Sequence, residues 1–276
     1  MFHNLLAYVV FTGRVLRSCA GCKYGRVFIL TWWLCAGLTG CSPEASDTIV
    51  PVQSAPSDQT LQGTIVALGD SLTAGLGVDE DQAYPAQLER KLRDDGYALK
   101  VINAGVSGET SSGTRSRIQW VVSSLNPDIV ILETGANDGL RGIDPKLLEK
   151  NLDALAAFLK EKKIVVVLAG MQMLPNLGPE YVKAFSRVYP QIALEYNLIL
   201  VPFFLNDVAG NPAYNQADKI HPTVQGYTRV VEHIYPFVLK GIERYLNKKS
   251  APGAQTPVIK PVIEVYPAAS CRESSQ

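Results

Sequence analysis

The strongest constraint on the fold is a fivefold alternation of short apolar runs and amphipathic segments between residues 64 and 248. The runs are rich in Ile, Val and Leu, as buried strands are: Ile65–Leu68, Leu99–Ile102, Asp128–Leu132, Ile164–Leu168 and Ile199–Val201. In the segments between them, apolar residues recur every three or four positions, as on the buried face of a helix. This alternation predicts an α/β fold with a parallel sheet covered by helices on both faces, and right-handed crossovers reduce it to a doubly wound sandwich.

Capping signals locate several of the predicted helices. A helix over residues 84–95 ends before Gly96, because glycine suits the left-handed turn that follows a helix. Asp144 and Pro145 are an N-cap and a first-turn proline. The helix that they open has one apolar stripe, formed by Leu148, Leu152, Leu155 and Leu159. The last predicted helix covers residues 223–246.

The first 40 residues are predicted to be an export signal. They contain basic residues and no acidic ones, and they end in the apolar stretch Val27–Leu38, which is short for a membrane span. Leu38-Thr39-Gly40-Cys41 resembles the lipobox of bacterial lipoproteins, which implies cleavage before Cys41 and attachment of lipid to its sulfur atom. An ordinary signal peptide with a cysteine beside its cleavage site is the alternative. The lipobox implies a chain anchored to a bacterial membrane, with the outer membrane favoured and the folded domain in the periplasm.

Two further segments lie outside the predicted domain of residues 64–248. Residues 41–63 are rich in Ser, Pro, Asp, Gln and Thr without helix or strand periodicity, which predicts a flexible tether. Residues 249–276 are rich in proline and end in polar residues, which predicts a disordered tail. Once the signal is removed and Cys41 is acylated, only Cys271 remains, so no disulfide framework is available.

The charge balance excludes one class of function. Lys and Arg together number 26, as do Asp and Glu, and loss of the basic signal segment leaves the remainder mildly acidic. No basic patch indicates nucleic acid as a partner. The sequence indicates no protein partner either.

Residues that can carry chemistry follow several of the predicted strands. They are Ser71 after the first strand, Gly105 after the second, Asn137 after the third, and Asp218 and His221 between the fifth strand and the last helix. Because the carboxyl ends of parallel strands meet at one edge of a sheet, we expect these loops to converge on one cleft.

These residue types suit acyl transfer. A serine hydroxyl such as that of Ser71 is a weak nucleophile until a base removes its proton. His221 is the predicted base, because Asp218 lies three positions earlier and can accept a hydrogen bond from the other ring nitrogen. The oxyanion formed by attack needs fixed donors. The candidates are the N–H of Ser71, the N–H of Gly105 and the side-chain amide of Asn137.

Four sequence blocks together resemble the SGNH (GDSL) hydrolases: Gly69-Asp70-Ser71-Leu72, Gly105, Gly135-Ala-Asn137-Asp138 and Asp218-Lys-Ile-His221. Two longer strings are similar to the periplasmic thioesterase I/lysophospholipase and arylesterase branch of that family, Asn137-Asp138-Gly-Leu-Arg-Gly142 and Tyr189-Pro-Gln-Ile-Ala193. The resemblance implies a three-layer α/β/α sandwich around a five-stranded parallel sheet in the flavodoxin-like order. It also implies an enzyme without a metal or an organic cofactor.

The same resemblance implies a serine esterase. Ser71 would be the nucleophile, His221 the base and Asp218 its orienting partner, with Ser71, Gly105 and Asn137 as the oxyanion hole. The implied substrates are carboxylic esters and thioesters, such as aryl esters, acyl thioesters or lysophospholipids, hydrolysed through an acyl-enzyme. Two alternatives stay open: a carbohydrate O-acetyl esterase of the same fold, and a non-catalytic lipoprotein that binds lipid or glycan.

Other classes of enzyme are disfavoured. A G-x-S-x-G elbow is missing, since Thr73 stands where the second glycine would be. Outside the signal there are two histidines, which make a poor metal cage, and His233 is predicted to be structural or on the surface. No phosphate-binding glycine motif follows the first strand. The apolar loop Met171–Leu177 would either wall an acyl pocket or border the core.

Overall fold

The computed structural model describes residues 63–250. The signal of residues 1–40, Cys41, the tether up to residue 62 and the tail from residue 251 lie outside the described residues, so the predictions made for them stay predictions. Within residues 63–250, no helix is both long enough and apolar enough to cross a membrane.

The sheet of the described residues has five parallel strands, as predicted, in the order β2-β1-β3-β4-β5. The strands are β1 (Gly63–Gly69), β2 (Leu99–Gly105), β3 (Ile129–Glu133), β4 (Val165–Ala169) and β5 (Ile199–Val201). Leu68 of β1 lies beside Ala104 of β2 and Leu132 of β3, so these three strands end at the same level. The loops that follow them therefore leave from one edge of the sheet.

Helices cover both faces of this sheet. In the described part of the chain they are α1 (Ser71–Ala74), α2 (Tyr84–Asp94), α3 (Ser111–Leu125), α4 (Ala136–Leu140), α5 (Pro145–Glu161), α6 (Pro179–Tyr196) and α7 (Val224–Lys249). One helical layer is formed by α2 packed against α7, and the other by α3 and α6 packed on either side of α5. The predicted three-layer α/β/α sandwich is confirmed.

The predicted caps and apolar stripes account for the long helices. Asp144 caps α5 by accepting a hydrogen bond from Lys146 N–H at 2.9 Å, and Thr223 caps α7 by accepting one from Gly226 N–H at 3.1 Å. The stripe of α5 is fully buried, and it consists of Leu148, Leu152, Leu155 and Leu159. Burial of one such leucine stabilises the fold by about 1.5–3 kcal/mol relative to leaving it exposed. Strands β3 and β4 are buried along their whole length because helices cover both of their faces.

Candidate active site

Ser71 is the first residue of α1, directly after the turn that ends β1. The side chain of Asp70 caps this helix by accepting a hydrogen bond from Leu72 N–H at 2.9 Å. A Cβ atom on Gly69 would lie 2.1 Å from Thr73 Oγ1, so no larger residue fits beneath the helix. This close packing holds Ser71 at the carboxyl edge of the sheet, where 8% of its surface is exposed.

His221 links Ser71 to Asp218 through two hydrogen bonds. Its Nε2 atom lies 2.8 Å from Ser71 Oγ, and its Nδ1 atom lies 2.6 Å from Asp218 Oδ2. With the Nδ1 proton donated to the carboxylate, Nε2 is the acceptor for the serine hydroxyl. The hydrogen bond from the His221 ring, helped by the backbone N–H groups of His221 and Ile220, lowers the pKa of Asp218 to about 2. This carboxylate is therefore ionised at neutral pH.

Gln216 ties the loop that carries Asp218 and His221 to the loop after α1. Its Nε2 atom donates to Leu76 O at 2.7 Å and to Pro222 O at 2.9 Å, and its backbone N–H donates to His221 O at 2.8 Å. One side chain thus joins the element that bears the serine to the element that bears the histidine. No sequence motif points to Gln216, because its partner at Leu76 lies 140 positions away along the chain.

Two of the predicted oxyanion donors are Ser71 itself and Asn137, whose side chain is hydrogen-bonded to the residue directly before Ser71. The N–H of Ser71 stands at the first position of α1, where the helix itself offers it no acceptor. Asn137 lies in α4, and its Nδ2 atom donates to Asp70 Oδ2 at 3.0 Å. This bond uses one of the two amide hydrogens and leaves the other available. Asp70 therefore caps the nucleophile helix and orients the amide of Asn137 at the same time.

Gly105 does not fit its predicted role as an oxyanion donor. Its N–H already donates to Asn103 Oδ1 at 3.0 Å. A Cβ atom on Gly105 would lie 2.2 Å from Ala74 N, so glycine is needed here to let β2 approach α1. The prediction is corrected: Gly105 is a packing glycine beside the nucleophile helix.

Gly108, three residues further on, is the glycine of the loop that follows β2. It lies in a turn closed by a hydrogen bond from Glu109 N–H to Val106 O, and its φ of 78° is the left-handed value of a type II turn. Arg141 Nη2 donates to Gly108 O at 2.7 Å and fixes this peptide. Within residues 63–250, its N–H has no hydrogen-bond acceptor. The sequence does not separate the two glycines, because only the packing against α1 distinguishes them.

Comparisons with known proteins assign the family. The model of the GDSL-like Lipase/Acylhydrolase family matches residues 67–229, which is more than half of the chain. The chain belongs to this family. Esterase TesA of Pseudomonas aeruginosa is 41% identical to it over 180 residues, which are 65% of this chain and 90% of that protein. Thioesterase 1/protease 1/lysophospholipase L1 of Escherichia coli strain K12 is 36% identical over 159 residues, which are 58% of this chain and 75% of that protein.

Solved structures of GDSL-family esterases share the fold of this chain. The crystal structure of TesA has a TM-score of 0.63 at 40% identity, and the match covers 64% of this chain and 99% of TesA. AlinE4, an SGNH-hydrolase family esterase, has a TM-score of 0.56 at 42% identity, with 65% and 96% covered. The recognition of the family is confirmed, and this GDSL-family member is a serine hydrolase of carboxylic esters.

In this GDSL-family hydrolase, the motif residue Asp138 fastens α4 to α3. Its Oδ2 atom accepts the N–H of Ser111 at 2.7 Å, and its Oδ1 atom accepts the hydroxyl of Ser111 at 2.5 Å. Asn151 of α5 donates to the same hydroxyl at 2.9 Å. The network holds α4 and therefore Asn137, which directly precedes Asp138.

The structure also locates His233 and the apolar loop after β4. His233 lies in α7 with its ring centroid 6.0 Å from that of Phe237. Met171, at the start of the apolar loop, is buried in the core, whereas Leu174 is 67% exposed. Among residues 63–250, no group of three or more His, Cys, Asp and Glu side chains is placed to hold a metal ion.

Proposed function

We propose that this ester hydrolase works through a triad of Ser71, His221 and Asp218. The observation that carries the proposal is the unbroken hydrogen-bonded path from Asp218 Oδ2 through the imidazole to Ser71 Oγ. As Ser71 Oγ attacks the ester carbonyl, His221 Nε2 takes the hydroxyl proton, and the ionised Asp218 stabilises the imidazolium. His221 then gives this proton to the leaving alcohol or thiol. Water, deprotonated by the same nitrogen, releases the acyl group from Ser71.

The oxyanion of each tetrahedral intermediate is proposed to accept three hydrogen bonds. The donors are the N–H of Ser71, the free amide hydrogen of Asn137 and the N–H of Gly108. In well-studied hydrolases, loss of one such donor lowers kcat by about 10²–10³. Asp70 and Arg141 hold two of these donors in place before any substrate arrives, which is what an oxyanion hole requires.

The proposed substrates are aryl esters, acyl thioesters and lysophospholipids. Two relatives support this range by their names, the arylesterase of Vibrio mimicus and the thioesterase 1/protease 1/lysophospholipase L1 of Escherichia coli. Exposed apolar side chains on the segments that follow the strands also support it, because they offer a surface to an acyl chain. They are Val106, Leu140, Leu174 and Ile220.

A chain-length series of p-nitrophenyl esters tests this proposal. We expect turnover to peak at medium or long acyl chains, and Ser71→Ala to lower kcat by about 10⁶. The matched control is Ser124→Ala, which removes an exposed serine of α3 and should leave turnover unchanged. Turnover of the acetate ester alone would favour a carbohydrate O-acetyl esterase. Full activity of Ser71→Ala would reject the triad.

We also propose that the enzyme is a lipoprotein anchored through Cys41, with its catalytic domain in the periplasm. The lipobox-like sequence up to Cys41 supports this location. In a bacterial host, the wild-type chain should incorporate labelled palmitate and sediment with the outer membrane. Cys41→Ser should do neither while its domain stays active. Equal labelling of the two chains would contradict the proposed anchor.

A further inference from the structure

A second carboxyl group lies behind the nucleophile, and the mechanism does not use it. Glu133 is the last residue of β3 and is fully buried. Its Oε2 atom accepts the hydroxyl of Thr73 at 2.8 Å and the N–H of Asp70 at 3.1 Å. Its Oε1 atom is equally buried and has no hydrogen-bond partner in the described part of the chain. Burial of an ionised carboxylate with one oxygen left without a donor is costly, and loss of the charge lowers that cost.

Glu133 and Asp70 are neighbours in the buried site, because both are fully buried and Oε2 of Glu133 accepts the N–H of Asp70 at 3.1 Å. Two buried carboxylates this close repel each other, which favours a proton on one of them. Asp70 has the better surroundings for a charge, because it accepts the N–H of Leu72 and the amide of Asn137. It also faces His221, which becomes cationic during the proposed reaction. The proton therefore belongs on Glu133.

The other groups around Glu133 favour the same assignment. Three phenols face it from three helices, Tyr84 of α2, Tyr189 of α6 and Tyr227 of α7. None of these groups can become a cation. Burial, together with the charge of Asp70, raises the pKa of Glu133 well above its ordinary value.

We propose that Glu133 is a positioning residue that stays protonated in the folded enzyme and acts through Thr73 and Asp70. Thr73 lies in the nucleophile helix, and Asp70 caps that helix and orients Asn137. Glu133 thereby fixes Ser71 and one oxyanion donor together, and it leaves Asp70 as the single carboxylate behind them. The inference rests on the proposed esterase mechanism.

Two substitutions of Glu133 distinguish a positioning role from a role in packing alone. Glu133→Gln keeps a neutral side chain with one oxygen that can accept both the Thr73 hydroxyl and the N–H of Asp70, as Oε2 does, so it reproduces the protonated acid. Glu133→Leu has a similar size and makes neither bond. We expect Leu to lower kcat on the order of 100-fold, because small misplacements of reacting groups have effects of this size, with KM nearly unchanged. Gln should restore kcat to within about threefold of the wild type.

The pH profile of kcat/KM tests where the charge lies. Its acid limb reports protonation of the essential base of the free enzyme. Asp70→Asn removes a negative charge directly before Ser71 and should move the acid limb to lower pH. Glu133→Gln replaces one neutral group by another and should leave the limb in place. A Glu133→Gln variant whose limb moves as far as that of Asp70→Asn would overturn the proposal.

An infrared measurement distinguishes failure of this inference from failure of the proposed function. At pH 7 the wild-type protein should show the C=O absorption of a neutral carboxyl group, and Glu133→Gln should lack it, whether or not the protein hydrolyses an ester. Identical spectra of the two proteins in this region would refute the protonated state. If circular dichroism shows that Glu133→Leu is unfolded, the spectrum and the pH profile of Glu133→Gln decide the matter.

Discussion

Replacement of Gln216 by alanine should reduce turnover while leaving the triad residues in the chain. The substitution removes the hydrogen bonds from Nε2 to Leu76 O and Pro222 O, at 2.7 and 2.9 Å, but keeps the backbone bond to His221 O. At about 1 kcal/mol for each bond, the free energy of unfolding should fall by about 2 kcal/mol. The loop after α1, which is the helix that bears Ser71, and the loop that bears His221 then lose the link that the Gln216 side chain provides. A displacement near 1 Å between them lowers kcat by about 10–100-fold.

Gln87→Ala is the matched control for this substitution. The Gln87 amide also donates to two carbonyls, those of Gln82 at 2.7 Å and Val224 at 3.2 Å, and it accepts the hydroxyl of Thr228. It joins α2 to α7, not the two loops of the site. Urea unfolding should therefore show similar losses of stability for the two variants, while kcat on a p-nitrophenyl ester falls in Gln216→Ala alone. Equal kcat values for the two variants would refute the positioning role of Gln216.

Three further substitutions test the site at other points. Asp218→Asn should lower kcat by about 10⁴. Because the pKa of Asp218 is about 2, the wild-type carboxylate is protonated only in strong acid. The wild-type rate between pH 4 and 8 should therefore show no titration of Asp218. Asp138→Ala leaves the N–H and hydroxyl of Ser111 without their acceptor, so urea unfolding should show a loss of about 2–4 kcal/mol. Gly105→Ala places a methyl group 2.2 Å from Ala74 N, and a thermal melt should show severe destabilisation; a melt like that of the wild type would contradict the packing role.

The layout of the fold could be predicted because the strands are apolar on both faces. The runs starting at Ile65 and Ile129 contain no polar residue until they reach the edge of the sheet. Both strands extend one residue beyond their predicted ends, because β1 continues to Gly69 and β3 to Glu133. A glycine and a carboxylic acid are unusual in a buried strand. Thr73 explains both residues. Its hydroxyl leaves no room for a Cβ atom on Gly69, and it donates a hydrogen bond to Glu133.

The helix α4 could not be predicted from local propensity. Its sequence, Ala-Asn-Asp-Gly-Leu, contains three residues that disfavour a helix interior. It forms because Asp138 binds the start of α3, across 27 positions of sequence. The tertiary contact therefore overrides propensity, and it does so where Asn137 must be held.

The proposed triad is easier to predict from the sequence than the proposed oxyanion donors are. Asp218 and His221 lie three residues apart, so their mutual bond is a local property, and only the meeting with Ser71 depends on the fold. The surroundings of the two glycines depend on packing: a Cβ atom would lie 2.2 Å from Ala74 N at Gly105 and 3.7 Å from Arg141 Nη2 at Gly108, although the two are only three residues apart.

Two separate sets of hydrogen bonds thus position Ser71, the proposed nucleophile. On the side of the base, Gln216 joins the histidine loop to the loop after α1. On the side of the oxyanion, Asp70 links the cap of α1 to Asn137, with Glu133 behind it. No residue is common to the two sets of hydrogen bonds, so the alignment of Ser71 with its base and its alignment with the oxyanion donors can be disturbed independently.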